Sequence, residues 1–145
     1  MISQAHAHGD KRKYLVALIT VGAGEAVEWA RQKAMIDNAT AERHLRDLAN
    51  NPLARTEELE SLLREVTRSA EVQERLVASV RRANEGLARV ETINKISVLD
   101  RELSVEEDEL TPTHKMTRKN IESKFAETFD RLYQDERFGL VVLSS

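Results

Sequence analysis

At 145 residues the chain is one domain's worth of sequence, enough to bury a modest core. Its 22 basic and 25 acidic residues leave a net charge of −3, which excludes a global electrostatic drive toward nucleic acid. The absence of cysteine excludes a disulfide framework, a thiolate nucleophile and a cysteine metal cluster.

The N-terminus Met1–His6 has no basic start and no apolar stretch, so no signal peptide is expected and a cytoplasmic protein is the default. Gly9-Asp10 followed by Lys11, Arg12 and Lys13 reads as a tight turn before a strand. Tyr14–Thr20 is a continuous β-prone run, suited to a strand buried on both faces. It is also the longest apolar stretch, far short of the ~20 residues a membrane span needs. Gly22 and Gly24 end it. Ala26, Val27, Ala30 and Ala34 then recur at helical spacing and predict a helix over Gly24–Met35. A second helix is predicted over Thr40–Leu48, stopped by Asn50-Asn51-Pro52.

Thr56 is a candidate N-cap, followed by Glu57, Glu58 and Glu60, which favour the positive end of a helix dipole. Leu59, Leu62, Leu63 and Val66 form that helix's apolar stripe. Ser69 is a candidate cap for a long helix over Ala70–Val90, whose stripe runs from Val72 through Leu87 to Val90. Lys95–Leu99 predicts a second strand. Asp100–Asp108 is acidic and loop-like. A last helix is expected from Thr113 or His114 to about Gln134, and Phe138–Leu143 is an apolar tail, either a strand or a segment docked on the core. Buried strands alternating with amphipathic helices predict a small α+β domain, a short sheet covered by helices.

The most informative stretch is Glu109-Leu110-Thr111-Pro112-Thr113-His114-Lys115-Met116-Thr117-Arg118. Pro112 fixes its own φ and pushes Thr111 toward extended conformations, so the segment is a rigid turn that presents a lysine. If Thr113 caps a following helix, Lys115 lies in its first turn, where the helix dipole offers a cation nothing. Lys115 and Arg118 are then better explained by an anion, and phosphate is the natural candidate.

Leu-Thr-Pro-Thr-x-Lys-x-x-Arg, followed by Ile121, Phe125 and Phe129 and by Asp130-Arg131-Leu132-Tyr133, resembles the end of bacterial long-chain fatty acid–CoA ligases of the adenylate-forming, AMP-binding superfamily. Three further segments agree in order. Gly9–Ile19 is similar to the family's glycine turn and central strand, Glu25–Ala30 to the helix after it, and Asn84–Glu91 to a helix end before the next strand. The family's Ser/Thr/Gly-rich phosphate loop and its glycine-rich hinge have no counterpart here. Gly22-Ala23-Gly24 lacks the lysine and spacing of a nucleotide loop. The chain reads as most of the C-terminal lid of such a ligase without its adenylation body, in one domain over residues 1–145. A helical insertion at about 50–70 and a tail over 134–145 depart from the family pattern.

The resemblance implies ATP-dependent activation of a fatty acid to acyl-CoA through an acyl-adenylate, with Lys115 as the catalytic lysine of the first half-reaction. It implies Lys11, Arg12 and Arg118 as weaker contacts to cofactor phosphates. ATP, Mg2+ and CoA are the cofactors of the complete enzyme, and none is expected for the isolated chain, which is expected to be inactive alone. The implied partners are an adenylation domain, fused or separate, and through it the fatty acid and CoA. No nucleic acid and no membrane-spanning segment are expected; peripheral membrane contact and a homo-oligomer stay open. The alternative is a non-catalytic helical interaction module derived from the lid, using the stripe from Leu59 to Val90.

Bland readings stand beside these. Lys115 by type alone is a solvated lysine, and Lys119 a helix-surface one. His114 reads as exposed, with modulation of Lys115 as the sharper option. His6 and His8 would share one face of a strand, but a metal needs a third ligand, so incidental histidines are favoured over a metal site. His44 is read as a helix-surface residue, and Trp29 as packing rather than ligand stacking.

Overall fold

The computed structural model describes residues 1–9 and 12–143. Four strands form one mixed sheet in the order β1-β2-β3-β4: β1 (Ile2–His8), β2 (Leu15–Val21), β3 (Ile93–Val98) and β4 (Leu140–Val141). β1 and β2 are antiparallel, β2 and β3 parallel, and β3 and β4 antiparallel. The α+β expectation therefore holds.

β2 lies at the centre and is buried on both faces, as its unbroken apolar run requires. Ala17, Ile19 and Val21 point to one side and Val16 and Leu18 to the other, which divides the core in two. The first side is covered by α1 (Ala23–Gln32), α3 (Glu57–Arg68) and α4 (Ala70–Asn84), with α2 (Asn38–Asn50) packed against α1. The second is covered by α5 (Arg118–Lys124) and α6 (Ala126–Gln134), whose Ile121, Phe129 and Leu132 meet Val16 and Leu18.

Local chemistry sets the helix ends. Asp37 and Thr56 accept from the amides of Thr40 and Leu59 and cap α2 and α3. Ser69 occupies the cap position of α4, but its hydroxyl makes no capping bond. α1 stops three residues before the predicted Met35. Ala34 takes a left-handed φ of 58°, and Met35 N–H turns back to the Ala30 carbonyl.

Four sequence expectations need correction. α4 ends at Asn84 rather than Val90. The buried Asn84 amide donates to the Ile93 carbonyl and accepts from its N–H, so the residue clamps the start of β3 instead of continuing the helix. Leu87 and Val90 fall in the connection and are exposed. The predicted final helix is two short ones, broken at Phe125, and the first begins only at Arg118. His44 is buried on α2, not on its surface. β1, for which the sequence offered only a conditional strand at His6 and His8, is an ordered strand.

Two glycines are required by their surroundings. Gly9 has φ 129°, and a side chain there would collide with the Tyr133 hydroxyl, whose single proton is shared between the carbonyls of Tyr14 (2.8 Å) and His8 (3.2 Å). Gly139 has φ 79° and lies where a Cβ would sit 2.8 Å from the Ile96 carbonyl oxygen. It lets the apolar tail turn onto β3 as β4, where Arg81 of α4 fastens it through the Val142 carbonyl.

Candidate functional site

Lys115 is not in a helix. The segment around it is a small hairpin: Leu110 bridges Met116, and Thr111 N–H donates to the Lys115 carbonyl at 2.8 Å. Pro112 takes the second position of a turn closed by His114 N–H on the Thr111 carbonyl at 2.7 Å. His114 then adopts φ 63°, the left-handed residue that lets a short hairpin loop return. The Thr111 hydroxyl accepts from Lys115 N–H at 3.1 Å and lies 3.1 Å from the Thr113 hydroxyl. Thr113 thus serves the turn and caps nothing; Thr117 precedes α5. The rigid turn read from the proline is present, and the helix-dipole argument for Lys115 is replaced by a hairpin that holds its backbone on both sides.

Lys115 is exposed, as are His114 and Met116. Among the described residues its ammonium enters none of the ion pairs. It is a cation held out on a braced loop.

The base of the hairpin is braced by charge. Glu109 is fully buried. Arg101 grips its carboxylate with both guanidinium nitrogens, at 2.8 and 2.7 Å, Ser104 N–H donates at 3.1 Å, and Lys124 of α5 lies 3.2 Å away. Burial alone would raise the Glu109 pKa, but these donors outweigh it and hold the carboxyl below its ordinary range. The Glu109 carbonyl accepts from Thr117 N–H at 2.8 Å and closes the hairpin. Lys124 also binds the Glu107 carboxylate and carbonyl, and Asn120 donates to the Asp108 carbonyl, so α5 is stitched to the acidic turn.

The other candidates are scattered. Lys11 lies outside the described residues. Arg12 stacks over the Tyr133 ring, 4.3 Å from its centroid, and reaches 4.0 Å from Asp130. Arg118 opens α5, is exposed, and makes a long 3.4 Å contact to the Ala7 carbonyl. Trp29 is buried and donates to Glu71 at 3.0 Å, in line with packing. Two open clefts, of about 360 and 480 Å³, lie by α4 and β4 and by Met1 and α1; neither is lined by Lys115, Arg12 or Arg118.

Sequence reasoning did not find the partner of the two histidines. His6 and His8 share a face of β1, and Glu122 of α5 meets both: His8 Nδ1 donates to its carboxylate at 2.5 Å, and His6 Nε2 lies 3.5 Å away without a hydrogen bond. His8 stacks on Phe129, centroids 4.5 Å apart. Burial pushes the His6 pKa below its ordinary value, with Glu122 opposing and Arg118 and His8 adding to the shift. Nor did the sequence show that Glu109 is buried; the one signal was Leu110 directly after it. Among the described residues no group of three or more His, Asp or Glu side chains is arranged to hold a metal ion, and no helix is long and apolar enough to cross a membrane.

No family model matches the chain. Curated relatives do. A long-chain-fatty-acid–CoA ligase of Mycobacterium tuberculosis, FadD15, is 32% identical over 136 residues, which is 94% of this chain and 19% of the relative. The long-chain-fatty-acid–CoA ligase heimdall of Drosophila melanogaster is 28% identical over 87% of this chain and 21% of its own length. The chain thus spans about a fifth of the curated relatives it matches. Among solved structures, the A-PCP didomain of the carboxylic acid reductase of Segniliparus rugosus, in complex with AMP, superposes with a TM-score of 0.55 and 18% identity, over 92% of this chain and 14% of that one. In sequence the chain is a relative of long-chain fatty acid–CoA ligases over about a fifth of their length, and its α+β fold is that of part of the A-PCP didomain of that reductase.

Proposed function

We propose that this chain is the lid of a long-chain fatty acid–CoA ligase and that it acts on an acyl-adenylate site held by an adenylation body, fused or separate. The observation that carries the reading is the hairpin: an exposed lysine, in no ion pair among the described residues, on a loop braced at its base by a buried ion-pair network. A cation so placed suits stabilisation of charge that develops on a carboxylate–phosphate centre supplied from outside the chain. In this reading the body holds ATP, Mg2+ and the acyl chain. Lys115 contacts the reacting oxygens in the adenylation step. Arg118, and Lys11 with Arg12 at the β1–β2 turn, assist with phosphates of ATP or CoA.

The alternative of a helical interaction module loses its main support. Leu59, Leu62, Leu63, Val66, Val72, Leu76 and Val80 are buried in the chain's own core, which leaves Ala83, Leu87 and Val90 as the exposed remainder of the stripe.

The test is reconstitution. The purified chain alone should release no pyrophosphate from ATP with palmitate, and adding it to an adenylation body should produce palmitate-dependent release and, with CoA, palmitoyl-CoA. Fatty-acid-dependent release by the chain alone, or no gain on adding it to the body, contradicts the reading.

A further inference from the structure

The buried carboxylate beneath the hairpin is the least expected group in the molecule. Glu109 has no exposed surface, and Leu103 and Leu110, the residues beside it in the fold, belong to the apolar cluster on Phe129. Apolar residues of similar volume in place of the whole ion pair often stabilise such a place as well or better. What the carboxylate adds is direction. The planar guanidinium fork of Arg101 fixes both its oxygens, Lys124 ties it to α5, and Ser104 N–H ties it to the acidic turn. The Glu109 backbone faces Thr117 across the hairpin base, Leu110 faces Met116, and Thr111 faces Lys115. The lysine is therefore two rungs from the lock.

We propose that Glu109, held by Arg101 and Lys124, is a positioning residue that sets the hairpin's orientation and with it the place of the Lys115 ammonium in the adenylation reaction. This rests on the proposed role of Lys115. Glu109 touches no reactant; it acts through the rungs of the hairpin.

The isosteric variant Glu109→Gln keeps the shape and loses the charge. In the full chain, amide hydrogen exchange at Thr111, Lys115 and Thr117 should rise at least about tenfold while the β2 amides of Val16–Ile19 stay unchanged. With the adenylation body, kcat for adenylation should fall about ten- to a hundredfold, the cost of misplacing a catalytic group by roughly an ångström, with KM unchanged. The thioester step started from preformed palmitoyl-adenylate should keep its rate. In the Lys115→Ala background, Glu109→Gln should cost little more, because the group it positions is gone. Lys124→Gln removes one exposed arm of the lock and should give the same pattern more weakly, which serves if Glu109→Gln does not fold.

Parent-like adenylation by Glu109→Gln alongside a strongly impaired Lys115→Ala overturns this proposal alone. So does full additivity of the two, or hairpin exchange equal to the parent's. A Lys115→Ala variant as active as the parent overturns the role of Lys115, and the positioning role with it.

Discussion

The two sides of the sheet are built from different materials. Under α1, α3 and α4 the core is aliphatic, from Ala17, Ile19 and Val21 through Leu63, Val66 and Leu76, with Trp29 at its edge. Under α5 and α6 a smaller cluster on Phe129 is edged by hydrogen-bonded polar groups, His8, Glu122, Tyr133 and, beneath the hairpin, Glu109, with the buried His6 beside them. Apolar packing is non-directional and supplies stability. Charged hydrogen bonds are directional and costly to leave unmade, so they fix geometry. The side that needs no particular outward shape uses the first, and the side that carries Lys115 uses the second.

Core truncations test that division most severely. Leu76→Ala on the aliphatic side should cost about 2–5 kcal/mol in denaturant unfolding and Phe129→Ala on the other about 3–5 kcal/mol. They should differ in kind. Leu76→Ala should leave amide exchange in the hairpin unchanged, whereas Phe129→Ala also removes the ring on which His8 stacks and should loosen β1. Equal disturbance of the hairpin by both would erase the distinction.

Replacing both partners, Glu109→Leu with Arg101→Met, sharpens it further. If the lock serves geometry, the double variant's stability should lie within about 1–2 kcal/mol of the parent, or above it, because apolar side chains then replace the whole ion pair. Its hairpin amides should nonetheless exchange faster. A large loss of stability would show the carboxylate to be structural first.

Acid should act on the polar side through buried groups, and on the other only through exposed carboxylates such as Asp37 and Glu71. Burial keeps the His6 pKa below its ordinary 6.5, so the folded state favours the neutral ring. Protons then bind the unfolded chain preferentially, and stability should decline as pH falls from about 6.5 toward the lowered native value. Glu109 has the same sign, a depressed carboxyl whose contribution is present above its ordinary pKa and is lost only at still lower pH. His6→Leu should flatten the first decline in a series of thermal melts and leave the second. The smallest effect belongs to the surface. Neutralising the exposed Arg43–Glu58 pair between α2 and α3 should change stability by only about 0–1 kcal/mol.

What the sequence showed follows the same division. β2 was legible because an unbroken run of β-branched and aliphatic residues suits only a strand buried on both faces. α3 was legible from Thr56 and the glutamates after it. β1 was not, since Ser3, Gln4, Ala5 and His6 have little strand preference and are extended because β2 pairs with them. α4 was read too long because Leu87 and Val90 continue its spacing, while Asn84 is taken up by the strand that begins nine residues on. The Thr111-Pro112-Thr113 turn was read correctly as a rigid presenter of Lys115. Its continuation was read as a helix, because nothing local reports the pairing of Leu110 with Met116 or of Thr117 with Glu109. The Glu109 lock and the Glu122 bridge join residues on separate elements, and no spacing rule brings them together.

The measurement that bears most directly on the central claim compares two half-reactions of Lys115→Ala in the presence of the adenylation body. Palmitoyl-adenylate formation, followed by pyrophosphate release, should fall about 10²–10³-fold, the usual cost of one preorganised charge contact. Conversion of preformed palmitoyl-adenylate to palmitoyl-CoA should stay close to the parent rate, and Lys119→Ala should change neither step. Adenylate formation at the parent rate by Lys115→Ala would contradict the account.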